Sequence, residues 1–104
     1  MEFRLEVCAD SIESAISAGE AGADRVEMCS ALSEGGITPS YGMILSVRKN
    51  LSAGMHVIIR PRGGDFLYSA AEFDTMRTDI EFCRKSGVDG VVLGILLPDG
   101  NIDT

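Results

Sequence analysis

Two cysteines, Cys8 and Cys29, each stand two residues after a glutamate, in the triplets Glu6-Val7-Cys8 and Glu27-Met28-Cys29. In an extended chain, side chains two apart share a face, so each carboxylate and its thiol point the same way. If the two segments are neighbouring parallel strands, the thiols end them side by side and can approach one soft ion. Soft sulfur selects Cu(I) or zinc over hard cations, and a pair of thiolates suits Cu(I). Zinc would want two further ligands, and no CxxC spacing supplies them. Packing is the competing role, because free cysteines are among the most buried residues; from the residue types alone it is the stronger of the two.

A second stretch with chemistry in it is Arg60-Pro61-Arg62-Gly63-Gly64-Asp65. Two guanidinium groups beside two glycines have an anion-site composition: Arg grips carboxylate or phosphate bidentately, and glycine lets backbone N–H groups turn toward a ligand. A small anionic or phosphorylated molecule is the implied partner. The alternative is that Arg60 pairs with Glu27 or Glu6, that Pro61 and the glycines only shape a turn, and that Asp65 caps. Glu34, in the loop Glu34-Gly35-Gly36-Ile37-Thr38, could serve as a base or ligand, or be a solvated loop carboxylate. Thr38 or Ser40 reads as a structural residue ahead of a helix. His56 is expected at the entry of a strand, away from these groups, and Cys83 in the core. Met28, Met43, Met55 and Met76 are scattered and fill core.

The elements that must position these residues are marked by periodicity and punctuation. Residues 3–8 read as a strand, followed by a helix to about Gly22 capped by Asp10 or Ser11. A strand over 24–29, a loop, and a helix from about Ser40 to Asn50 follow. Residues 55–60 form a third strand rich in β-branched residues. The longest helix runs from about Ser69 to Ser86, opened by the capping-box pair Ser69 and Glu72 and closed by Gly87. A fourth strand covers 88–94, and the tail is a loop.

Strands alternating with helices imply right-handed crossovers and a parallel sheet. An open sheet with helices on both faces would be apolar on both, and Glu6 and Glu27 contradict that, since unpaired carboxylates under a helix cost several kcal/mol. A closed (β/α)8 barrel, with these residues inside and Arg60 or Arg62 in reach, fits better. Such barrels take about 250 residues, so 104 residues supply about half of one. The exposed strand edges then need a partner, either a second copy in a homo-oligomer or a second half barrel. Barrel chemistry lies at the C-terminal ends of the strands, where Cys8, Cys29, the Glu34 loop and the Arg60 loop fall.

Bulk properties narrow the class. The chain is 45% hydrophobic and 24% charged, ordinary for a packed domain. A net charge of −7 disfavours nucleic acid and anionic membrane surfaces. No apolar run approaches the roughly 18 residues of a membrane span, and the start has no signal-peptide character. With three cysteines, an odd number, a disulfide framework is not expected, and the chain reads as cytoplasmic.

Three segments carry a resemblance: LEVCADSIESAISAGEAGADRVEMCSALSEGGITPS, IIRPRGGDFLYS and GVDGVVLGILLPDGNID. Together they resemble the copper homeostasis protein CutC family, with residues 1–104 matching the N-terminal half of its barrel. The resemblance implies a cytoplasmic TIM barrel linked to copper, with a Cu(I) site at the cysteines matching Cys8 and Cys29. Two functions therefore compete: copper binding through Cys8 and Cys29, or an enzyme acting on a small anion through Arg60, Arg62, Glu27 and Glu34, with Gly63 and Gly64 helping to bind the anion.

Overall fold

The computed structural model describes residues 2–104. Its elements run β1 (Glu6–Ala9), α1 (Ile12–Glu20), β2 (Arg25–Met28), a single 3-10 turn (Leu32–Glu34), α2 (Tyr41–Asn50), β3 (Gly54–Ile58), α3 (Ala70–Ser86) and β4 (Gly90–Val92). The four strands form one parallel sheet in the order β1-β2-β3-β4.

The helices start where side chains can satisfy their free N–H groups. Ser11 accepts from Ser14 N, Ser40 from Met43 N, and Ser69 forms a full capping box with Glu72. Gly87, in the left-handed region, ends α3 where a side chain would be strained.

The strands are shorter than their apolar runs. Residues 3–5 precede β1, tied to Asp24 by Leu5 N donating to its carboxylate at 2.7 Å. At the other end of the sheet β3 stops at Ile58, because the main chain of Arg60 turns away to Thr38: Thr38 N donates to Arg60 O at 2.9 Å and Arg60 N to Thr38 Oγ1 at 2.8 Å. The tail closes on itself through a bridge between Leu96 and Ile102.

All three helices lie in one layer, α1 against α2 and α2 against α3, on one face of the sheet. Alternation along the strands sends Ala9, Val26, Met28, Met55, Val57 and Ile59 into that layer, where they meet Ala15, Ile44, Val47, Leu51, Met76 and Cys83. The other face carries Glu6, Cys8, Arg25, Glu27 and His56, and no helix among the described residues covers it. One dry face and one polar face make half of a (β/α)8 barrel rather than an open sheet sandwiched by helices. No helix among the described residues is long and apolar enough to cross a membrane.

Candidate functional site

The inner face is organised by strand register. Cys8 pairs with Glu27 across β1 and β2, and Glu27 with His56 across β2 and β3, so the three stand in one row. Glu6 and Arg25 stand in the row below, also as register partners. His56 was expected at the far end of its strand and is instead level with Cys8 and Glu27, since β3 begins at Gly54 and ends early at Ile58. Its ring lies over Gly90, where an added Cβ would come within 2.8 Å of Nε2, so a side chain there would displace the ring.

The expected partners of the inward carboxylates were Arg60 or Arg62. Glu6 is paired instead with Arg25, whose Nε donates to it, with His56 Nδ1 4.0 Å from the same carboxylate. The signal was present in the alternation of Arg25 and Glu27, which places a guanidinium on the same face as the glutamates. Arg25 holds the Glu6 carboxyl below its usual range. Burial, with the charge of Glu6 beside it, pushes Glu27 up. The pKa values of the two carboxyls are thereby driven apart, Glu6 downward and Glu27 upward.

A consequence for stability follows. A carboxyl whose folded pKa is raised stabilises the fold below its unfolded pKa, and that contribution is lost as pH rises through the folded value. Glu27 therefore weakens the fold at neutral pH. Replacing it with Gln should raise the thermal midpoint by a few degrees at about pH 7, with the gain shrinking toward about pH 4; circular-dichroism melts at both values check this.

Cys8 lies on the inner face in β1, and Cys29 follows directly after β2, two residues beyond the glutamate that pairs with Cys8, its N donating to Ala9 O at 3.0 Å. Cys8 is exposed and Cys29 buried, with Cys29 Sγ donating to Ala9 O at 3.7 Å. Burial raises both thiols above their ordinary range; carboxylates add to it, Glu27 and Glu6 at Cys8, and Asp10 and Glu27 at Cys29. Cys83 is fully buried in α3 and pushed up to about 11 by burial, an inert core thiol. Among the described residues no group of three or more His, Cys, Asp or Glu side chains is placed to hold a metal. A pair of thiols is a donor set that suits two-coordinate Cu(I) and falls short of zinc.

The Arg60 loop is built differently from an anion cradle. Arg60 is buried, with Nη1 donating to Glu34 O at 2.8 Å and Gly36 O at 3.0 Å, and Nη2 to Gly64 O at 2.9 Å. Its guanidinium sits 5.0 Å from the centre of the Phe66 ring. Arg62 donates to Glu72 at 2.5 Å, to Asp65 Oδ1 at 3.1 Å, and to the carbonyls of Gly63, Asp65 and Leu67. Gly63 and Gly64 thus turn carbonyls, not N–H groups, toward the arginines. The Ser69 backbone N–H and Arg62 together hold Glu72 below the usual carboxylate range. Glu34 is exposed on the 3-10 turn, its carboxylate lying against Gly63, where an added Cβ would meet Oε2 at 2.8 Å. The Nη groups of both arginines are already engaged by partners within the protein.

A model of the CutC family matches residues 3–104. A CutC protein of Chromobacterium violaceum is 58% identical over 103 residues, which is 99% of this chain and 42% of that protein. A human copper homeostasis protein cutC homolog is 52% identical over 101 residues, 97% of this chain and 37% of that protein. The crystal structure of a CutC protein from Streptococcus agalactiae superposes with a TM-score of 0.91 at 36% identity, over 98% of this chain and 50% of its own. The chain therefore spans about two fifths of the length of these curated relatives. With the sheet, the one-sided helix layer and the inner-face residues in place, the matches agree over nearly the whole chain, and it belongs to the CutC family.

Proposed function

We propose that this chain is the N-terminal half of a cytoplasmic copper homeostasis protein that binds Cu(I) as cargo through Cys8 and Cys29. The observation that supports this reading is the parallel pairing of β1 and β2, in which Cys8 stands opposite Glu27 and Cys29 follows two residues later, just past the end of β2. Names of relatives in the family point to copper homeostasis, and three unpaired thiols suit a reducing compartment. The second half barrel, from the same kind of protein or from a second copy, is the partner that would close the sheet edges of β1 and β4.

The test is an anaerobic Cu(I) titration of the reduced chain against a competing chelator, with the Cys8→Ser, Cys29→Ser variant alongside. One equivalent should be bound, and the variant should lose at least about 100-fold in affinity, because hydroxyls are poor ligands for a soft ion. The single Cys8→Ser variant, at an exposed position that packing does not need, should lose most of that affinity too. Equal binding by all three proteins would remove the thiols from the copper reading.

A further inference from the structure

The loop after β2 folds back over Cys29 as a strap. Ser30 and Ile37 exchange backbone hydrogen bonds at 2.9 and 2.8 Å, and between them Ala31, Gly35 and Gly36 all take positive φ. Gly36 lies directly on the thiol: a Cβ added there would stand 3.1 Å from Cys29 Cβ and 3.4 Å from its Sγ. Beneath this close approach Cys29 is buried, while Cys8, one strand away, is exposed.

Little apolar packing holds the strap down. Its 3-10 turn, Leu32–Glu34, has no buried residue, and Leu32 is exposed. What reaches into it is Arg60, which is 8% exposed and delivers two hydrogen bonds from one nitrogen to the carbonyls of Glu34 and Gly36. The opposite nitrogen grips Gly64 O in the loop after β3, and the main chain of Arg60 is locked to Thr38 on both sides. One side chain therefore ties two strand-end loops together beneath the position that covers the thiol. Its Nε is buried without a partner among the described residues, so the side chain is held for its Nη groups and not for a complete set of bonds.

We infer that Arg60 is a positioning residue, a staple that keeps the strap closed over Cys29 and so sets when this thiol can be reached. Arg suits the task because its planar fork spans three carbonyls in two loops; a lysine ammonium is a point charge and cannot reach all of them. The inference deepens the copper reading by naming the residue that governs one of its two ligands. Its test contains no copper, so either can fail without the other.

The experiment is site-resolved alkylation of the reduced 104-residue chain by iodoacetamide, with the rates at Cys29 and Cys83 read by peptide mass spectrometry. Cys83, fully buried in the helix-side core, reports general unfolding. In Arg60→Met, Cys29 should react about 10-fold faster while Cys83 changes by less than about twofold, as local opening confined to the strap requires. Arg60→Lys should stay within about twofold of the Met variant at Cys29, since charge without the fork does not restore the staple. Equal acceleration at both cysteines, or no change at Cys29, overturns the inference. If loss of Arg60 unfolds the chain, Gly36→Ala keeps the guanidinium and presses a methyl on Cys29 at a backbone angle strained for alanine. It should speed labelling of Cys29 about fivefold with Cys83 unchanged, and an unchanged Cys29 rate there overturns the inference equally.

Discussion

Cu(I) capture by the reduced chain is expected to tighten by up to about 100-fold for each unit of pH between about 6 and 8. Both proposed ligands are thiols whose pKa is raised, by burial first and by carboxylates second. Each therefore holds its proton throughout this range, and a bis-thiolate site must release two protons for each ion it takes. The affinity then rises about 10-fold per proton per pH unit, and because the thiols sit above their ordinary range the slope does not flatten before pH 8. The same acidic surroundings work in the opposite sense once the ion is in place. Glu6, Glu27 and Asp10 disfavour thiolate in the empty site, yet their negative field favours a cation. The measurement is the chelator competition repeated at three pH values, corrected for the protonation of the chelator. A slope near zero would exclude both thiols as ligands; a slope of one would leave a single cysteine in the site.

Truncation of Ile44 to alanine is expected to cost about 3 kcal/mol of stability and lower the thermal midpoint by between about 12 and 24 °C. Ile44 is fully buried on α2, in the single dry layer between helices and sheet. The inner face contributes no comparable apolar burial, since it presents Glu6, Arg25, Glu27 and His56. The stability of the half barrel therefore rests on one layer, and a cavity there has no second core to offset it. Thermal and urea unfolding of the variant checks this, and a loss under about 1 kcal/mol would mean that the helix layer repacks around the gap. The contrast with Glu27→Gln is informative, because that change alters the uncovered face and is expected to stabilise. Opposite signs on the two faces would establish that the helix side supports folding while the inner side is kept polar at a cost in stability, as functional faces often are.

The two arginines of the Arg60 loop show how composition can mislead about chemistry. Two guanidiniums beside two glycines match an anion site as a list of residue types. In three dimensions the loop carbonyls face inward and absorb the donors, while Glu72, brought in by the first turn of α3, completes Arg62. The same loop thereby becomes the scaffold of the strand ends.

What the sequence by itself determined is local. The element order, a cap at Asp10 or Ser11, the caps at Ser40 and Ser69 with Glu72, and the stop at Gly87 all depend on residues within about four positions of one another, where period and capping chemistry act directly. The polar inner face was legible too, because Glu6 and Glu27 could not lie beneath helices. Only the tertiary structure decided which residues meet. Register brought His56 level with Cys8 and gave Glu6 to Arg25, and the early end of β3 sent Arg60 to Thr38 and the strap instead of to a carboxylate. The reason is physical: a ladder of backbone hydrogen bonds sets the offset between strands, a shift of one residue turns a side chain to the opposite face, and no local pattern encodes that offset.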